Sequence, residues 1–224
     1  MSLILNIETA TKNCSVSLSN NGKVINCREI AEQGYSHAEK LHVFIEEVIL
    51  EAQMQFADLS AIAVSQGPGS YTGLRIGVSA AKGLCYALNI PMIALDTLSI
   101  LAHQIQKKDG LIIPMIDARR MEVYSAVFNA DYQKVIETQA EIITEESFSQ
   151  FDETIYFIGD SAAKCKEVLK RPNCIFVEDI VYPSSKEMAK LSYEKYQKDD
   201  FVDVAYFEPA YLKDFVATTP KSKS

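Results

Sequence analysis

The chain is short of the features that mark several functional classes. It has no long uninterrupted apolar run of the kind a membrane-spanning helix needs, and its first residues lack the basic-then-apolar layout of a secretory leader, so the expected location is the cytoplasm. Positive charge is scarce: 22 Lys and Arg face 30 Asp and Glu, for a formal net charge of −8. Affinity for nucleic acid draws on cations that neutralise phosphates, so a freestanding nucleic-acid binder is not expected and any RNA contact must be local or borrowed. The five cysteines (Cys14, Cys27, Cys85, Cys165 and Cys174) contain no CxxC pair, and the first three lie in apolar or strand-like surroundings, which predicts reduced thiols. Histidine is limited to His37, His42 and His103. The first two are five residues apart, about 140° around a helix, so they do not form a ligand pair. The basic end Lys221-Ser222-Lys223-Ser224 reads as a solvated terminus.

Against this plain background one segment stands out. Gly67-Pro68-Gly69-Ser70-Tyr71-Thr72-Gly73-Leu74-Arg75-Ile76-Gly77 follows an apolar strand-like run, Ala61 to Ser65, and precedes helical periodicity from Leu74 to Leu88. A glycine-rich strand-to-helix turn permits close backbone approach, and the helix beyond it offers unpaired N–H groups to an anion. Gly67, Gly69, Ser70, Thr72 and Gly73 are therefore candidates for an anion or nucleotide turn. The alternative is a tight turn packed against its own helix. The string is neither a Walker A loop, since no Lys-Ser/Thr follows, nor the dinucleotide fingerprint. Arg75, placed in the first helical turn, opposes the macrodipole and should answer a carboxylate, a phosphate or a partner chain.

Periodicity and turn signals predict two similar halves. The first reads as strands Leu3 to Ile7, Cys14 to Ser19 and Lys23 to Ile30, with Asn21-Gly22 as a hairpin turn, then a helix from Ser36 to Gln55 opened by Ser36-His37-Ala38-Glu39 as a capping box. Strand 61–65, helix 74–88, strand Met92 to Leu95 and helix Leu98 to Lys107 complete it. The second half reads as strands Leu111 to Ile116, Val123 to Phe128 and Val135 to Ile143, a short helix Glu145 to Phe151, strand Thr154 to Ile158, helix Ser161 to Leu169, strand Cys174 to Val177 and helix Ser185 to Gln197. Both halves have the order βββαβαβα. Two such α/β lobes are the layout of the superfamily of actin, sugar kinases and heat-shock chaperone ATPases (ASKHA), although no residue-level repeat links them. The expected division is an N-terminal lobe over 1–108, a C-terminal lobe over 109–205 and a partly disordered tail over 206–224; Asp109-Gly110 reads either as a hinge between the lobes or as the C-cap of the preceding helix.

Two helices of the first half carry apolar or small residues on more than one side. On helix 36–55, Leu41, Ile45, Val48 and Ala52 form a core stripe, while Val43, Leu50 and Met54 project from roughly the opposite side. On helix 74–88 the core face is Leu74, Val78, Ala81, Leu84, Cys85 and Leu88; Ile76, Ala80, Gly83 and Ala87 make a small-residue stripe, and Arg75, Ser79, Lys82 and Tyr86 run along another side. Scattered exposed apolar residues are one reading. The other is a partner interface built on Val43, Leu50, Met54, Arg75, Ile76, Ser79, Ala80, Lys82, Gly83 and Tyr86.

The glycine string, with Ile4-Leu5-Asn6-Ile7-Glu8-Thr9-Ala10, Ser36-His37-Ala38-Glu39, Asp117-Ala118-Arg119-Arg120-Met121-Glu122-Val123-Tyr124 and Pro209-Ala210-Tyr211-Leu212-Lys213, resembles the TsaB (YeaZ) family. The resemblance is weakest over 130–205. It implies a non-catalytic accessory subunit for forming threonylcarbamoyladenosine beside the tRNA anticodon, acting with a TsaD-like catalytic subunit and a TsaE-like ATPase. It also implies a homodimer in their absence and contact with tRNA mainly through the complex. The catalytic relative holds a metal through two histidines four residues apart, at positions that match Thr97 and Leu101 here; neither replaces an imidazole, so no metal site and no catalytic residue are expected.

Glu8 stands where the accessory family often has Asp. Glu8 and Asp117 could pair across a cleft around metal and phosphate, as acidic groups do in kinases of the superfamily, or could pair with Arg75, Arg119 or Arg120. No Ser-His-Asp set, HExxH motif or Cys-His pair at recognised spacing supports the peptidase activity once ascribed to such relatives. No cofactor is required by this reading, and ATP or ADP binding rests on the glycine turn alone. The competing readings are an ATP-dependent small-molecule kinase of the same fold and a stand-alone homodimeric binding protein.

Overall fold

The computed structural model describes residues 2–31, 37–106 and 109–212. Among the described residues ten strands form two five-stranded sheets. In the first, β1 (Leu3–Glu8), β2 (Cys14–Asn20), β3 (Lys23–Ile30), β4 (Ala61–Gly67) and β5 (Met92–Asp96) lie in the order β3-β2-β1-β4-β5. In the second, β6 (Leu111–Asp117), β7 (Glu122–Asn129), β8 (Lys134–Ile142), β9 (Ile155–Ile158) and β10 (Cys174–Phe176) lie in the order β8-β7-β6-β9-β10. Each sheet opens with an antiparallel meander of three strands and adds two parallel strands beside its first. The arrangement of three meandering and two parallel strands is thus duplicated, as the sequence predicts. The Asn21-Gly22 hairpin has both central residues at positive φ, 49° and 78°, as a two-residue turn matching strand twist requires.

Alternation along β1 sends Leu3, Leu5 and Ile7 to one face of the first sheet and Ile4, Asn6 and Glu8 to the other. The first face packs under α1 (His37–Glu51) and α2 (Tyr71–Leu88), where Leu41, Ile45, Val48, Val78, Ala81 and Cys85 complete one core. The opposite face meets α5 (Ser185–Tyr196), with Met188 seated among Ile4, Ala61, Ala63, Ile93 and Leu95. α5 lies within the span assigned by sequence to the C-terminal lobe, yet it covers the first sheet. In return α3 (Thr97–Ala102), from the first half, places Leu98, Leu101 and Ala102 in the core of the second sheet beside Ile112, Ile116, Ala126 and Phe128. Each half lends its last helix to the other.

The exchange explains a stripe of serines. Ser15, Ser17 and Ser19 alternate on one face of β2, and all three are fully buried. α5 seals them. Ser17 Oγ donates to the Ser185 carbonyl at 2.7 Å, Ser15 and Ser185 hydroxyls lie 2.7 Å apart, and Ser192 Oγ donates to Asn6 Oδ1 at 2.7 Å. Asn6 Nδ2 in turn donates to Ser19 Oγ at 3.1 Å, so a buried polar network joins the halves with its members satisfied. Across the same junction Lys134 of β8 reaches Asp96 Oδ2 at 3.2 Å, and Asp96 Oδ1 caps α3 by accepting from the Ser99 amide.

Several element bounds differ from expectation. α1 ends at Glu51, so Met54 lies beyond it and is half-buried against the first core. Ser36, the expected cap residue, lies outside the described residues; the helix expected over 98–107 ends at Ala102, where turns over 103–104 follow. α2 starts at Tyr71, three residues early, because Ser70 caps it by accepting from the Gly73 amide at 3.3 Å. The helix expected over 145–151 is replaced by turns. Phe148, buried against Phe157, takes a φ of 61°, and Arg171 binds the Ser147 and Phe148 carbonyls at 2.8 and 2.9 Å, so a helical ladder cannot form there. The helix expected over 161–169 is reduced to α4 (Ala162–Cys165) followed by turns. Within the expected tail Phe207 packs against the first core, while Ala210 bonds to Gln66 and Tyr211 meets Tyr71; 213–224 lie outside the described residues.

Candidate functional site

The glycine turn wraps the chain's own backbone. Gly67 has φ +111°, and a Cβ there would stand 2.8 Å from the Ala210 carbonyl oxygen. A Cβ on Gly69 would meet the Ala10 oxygen at 2.3 Å, one on Gly73 the Thr9 oxygen at 2.1 Å, and one on Gly77 the Thr9 hydroxyl at 2.3 Å. The glycines thus let the β1–β2 turn lie flush against the start of α2. Two bonds fasten it: the Ser70 amide donates to the Ala10 carbonyl at 2.6 Å, and Thr9 Oγ1 donates to the Gly73 carbonyl at 2.8 Å. Gly73 and Gly77 are helical rather than part of the turn, and Thr72 is exposed in the first turn of α2. The segment near 209–212 joins the same place, with the Ala210 amide donating to the Gln66 carbonyl at 2.8 Å and Tyr211 packed on Tyr71 at 4.8 Å between ring centroids.

Glu8 and Asp117 do not follow the expected pairings. Glu8 is fully buried and accepts from the Ala10 amide at 2.6 Å and the Ser65 hydroxyl at 3.1 Å. Burial outweighs these bonds and raises its carboxyl from 4.5 to about 7. Asp117 pairs with Lys164, and its carboxylate also accepts from the Arg119 amide at 3.3 Å. Pairing of either acid with an arginine is therefore corrected: Glu8 sits too deep for a guanidinium, and the left-handed turn at Arg119 and Arg120, φ 76° and 56°, turns both side chains to solvent. Arg75 does not stand in the first helical turn as expected. With α2 starting at Tyr71 it stands in the second turn, its guanidinium 4.6 Å above the Tyr71 ring.

Thr97 and Leu101, the positions matched to metal ligands of the catalytic relative, are both fully buried in α3. Thr97 Oγ1 accepts from the Gly67 amide at 3.2 Å, and Leu101 packs into the core of the second sheet. Among the described residues no group of three or more His, Cys, Asp and Glu could hold a metal ion. His103 is stacked on Tyr132 at 4.2 Å with its Nδ1 2.8 Å from the Ser99 carbonyl; burial leads the causes that lower its basicity.

The expected interface residues divide between two open concavities. Ala38 and His42 of α1 with Tyr71, Arg75, Ile76 and Ser79 of α2 surround about 620 Å³, and Ala80 completes its wall. Lys82, Gly83 and Tyr86 of α2, with the strap Asp203-Val204-Ala205, surround about 700 Å³. Lys82 is engaged within the chain, donating to the Ala205 and Phe207 carbonyls at 3.1 and 2.9 Å. Gly83 has nothing within 4 Å of where a Cβ would stand. Tyr86 is 88% exposed at the second concavity, and Leu50, 76% exposed, and Val43, 45% exposed, present apolar surface of α1 outside both. Met54 is not part of this surface. Neither the Tyr211 contact nor the strap was expected; the aromatic and proline in Pro209-Ala210-Tyr211 were the available signal.

Residues 29–221 match the family model for tRNA N6-adenosine threonylcarbamoyltransferase, TsaD. Proteins named tRNA threonylcarbamoyladenosine biosynthesis protein TsaB are similar over nearly the whole chain. That of Escherichia coli K12 is 29% identical over 223 residues, covering 96% of this chain and 96% of that protein. That of Bacillus subtilis 168 is 32% identical over 219 residues, covering 94% and 93%. Among solved structures, YeaZ from Pseudomonas aeruginosa superposes with a TM-score of 0.80 at 24% identity, covering 95% of this chain and 100% of that one, a likeness of fold.

Proposed function

This chain belongs to the TsaB (YeaZ) family, and from that premise we propose that it is a non-catalytic accessory subunit of the machinery that forms threonylcarbamoyladenosine in tRNA. It works in the cytoplasm beside a TsaD-like catalytic subunit and a TsaE-like ATPase, pairs with a second copy of itself when they are absent, and meets tRNA mainly through the assembly. The observation that carries this reading is the two-sidedness of α1 and α2. One side of each is sealed in the core, while Val43, Leu50 and Tyr86 remain exposed and Arg75, Ile76, Ser79, Ala80 and Gly83 line open concavities. Exposed aromatic and aliphatic groups beside an arginine suit the centre of a protein interface.

Two further observations support it. Thr97 Oγ1 is taken up by the Gly67 amide and Leu101 has no donor atom, so neither buried position stands in for a histidine ligand. The net charge of −8 favours tRNA contact through partners. Reconstitution of threonylcarbamoyl transfer from purified components, omitting this chain or the TsaD-like subunit in turn, tests the role: loss in both omissions is expected, and transfer by this chain without the TsaD-like subunit would overturn it. Leu50→Asp should weaken association while leaving the fold intact, and an unchanged assembly would remove α1 from the interface. No cofactor is required in this reading; calorimetric titration with ATP and ADP tests whether the turn over 67–73 takes a nucleotide.

A further inference from the structure

From Val202 to Leu212 the chain makes a single strand-like bridge, Val202 with Met92 at the edge of β5. This strap is nevertheless fastened along its length. Phe207 packs against the first core, Lys82 of α2 donates to the Ala205 and Phe207 carbonyls, and the Ala210 amide donates to the Gln66 carbonyl at 2.8 Å. Gly67 admits the last contact, since a Cβ there would stand 2.8 Å from the Ala210 oxygen. So anchored, the strap delivers Tyr211 to Tyr71, with ring centroids 4.8 Å apart and planes inclined by 36°.

The Tyr71 ring in turn carries the Arg75 guanidinium, whose Cζ lies 4.6 Å from the ring centroid. Arg75 is exposed and, among the described residues, makes no ion pair. Tyr71 and Arg75 both line the first concavity, whose wall includes His42, Thr72 and Ser79 and no acid. A cation resting on a ring at an acid-free wall has its complement in a carboxylate that the occupant brings. Lys82, the other cation of α2, is spent on the strap carbonyls. We propose that Tyr211 is a positioning residue for the partner surface: by bracing the Tyr71 ring it holds Arg75 ready for a carboxylate of the TsaD-like subunit. The proposal rests on the accessory-subunit reading above and gives the strap a part in it.

The direction of the effect follows from entropy. A guanidinium already held in the free chain gives up less freedom when a partner binds it than one on a loose side chain. Ordering one such side chain opposes association by roughly two- to tenfold in affinity. Tyr211 thus acts on affinity through Arg75, whereas a residue that served the fold alone would weaken association whether Arg75 were present or not.

The test measures the affinity of the full chain for the TsaD-like subunit by calorimetry, in a double-mutant cycle of Tyr211→Ala and Arg75→Ala with Tyr211→Phe as the conservative control. Tyr211→Ala should weaken binding roughly two- to tenfold, Tyr211→Phe should keep it, and Tyr211→Ala should cost nothing further once Arg75 is alanine. Added salt should weaken the wild-type complex more than the Arg75→Ala complex, as the loss of one ion pair requires. In the uncomplexed chain, ring-current shielding of the Arg75 δ-methylene protons should fall in Tyr211→Ala. An equal loss of affinity from Tyr211→Ala in both backgrounds, or unchanged shielding, overturns the proposal. If Leu50→Asp weakens the complex while Tyr211→Ala or Arg75→Ala does not, only this proposal falls; if none of the three does, the interface reading falls with it. Should Tyr211→Ala not fold, Tyr211→Leu, which removes the ring and keeps apolar bulk, enters the same cycle with the same expectations.

Discussion

The two sheets share one strand order and are clothed differently. The first is sandwiched between the 15- and 18-residue helices α1 and α2 on one face and the 12-residue α5 on the other. The second has the four-residue α4 and a run of turns where a first long helix would stand. Duplicated topology therefore does not imply duplicated surfaces. The first half keeps long helices with an exposed apolar side, and the second keeps a sheet and the short connections that close it. It is the first half that carries the surface proposed for a partner.

The reciprocal loan of α3 and α5 makes the halves interdependent, and this is where the comparison is easiest to break. Leu101→Ala, in a helix of the first half that packs on the second sheet, and Met188→Ala, in the converse position, should each cost about 2–5 kcal/mol. Each should lower a single cooperative transition. Two resolved transitions by calorimetry, with each variant moving one, would mean that the halves unfold apart. Gly73→Ala comes next. Its Cβ must displace the Thr9 carbonyl, which would lie 2.1 Å away, at a cost of about 1–3 kcal/mol or more in chemical denaturation. Recovery of full stability would show that the β1–β2 turn yields easily.

Ser192→Ala sharpens the role of α5. It leaves Asn6 Oδ1 buried without the hydroxyl that now lies 2.7 Å from it, and about 1–2 kcal/mol should be lost. A neutral result would make the network incidental to the docking of α5. The smallest effect belongs to Gly83→Ala. This helical glycine has open space around it, so alanine should add about 0.5–1 kcal/mol of stability through helix propensity. If the small residue serves a closely approaching partner, the same variant loses association as it gains stability.

Much of the fold was legible in the chain. Alternation in Leu3 to Glu8, the Asn21-Gly22 turn and the apolar stripe on α1 each reflect a local rule of period or φ, and all ten strands stand where those rules place them. The turns over 145–150 were not legible, because Phe148 leaves helical φ to bury its ring against Phe157, a partner distant in sequence. The candidate surface was partly legible. Leu50 and Tyr86 announced their exposure by helical phase, but Lys82 and Met54 had the same phase and are occupied within the chain, by the 205–207 carbonyls and by the first core.

The sequence by itself determined the order of the strands and of the long helices, the duplicated halves and the position of the glycine turn, since these depend on spacing over a few residues. Tertiary structure decided what each spacing was for. The glycines receive the backbone of Thr9 and Ala10, the serines of β2 are sealed by a helix some 170 residues away, and Glu8 is a buried acid rather than one arm of a salt bridge. Each of these outcomes depends on which distant surface takes water's place, and desolvation is set by the whole packed chain rather than by neighbours in sequence.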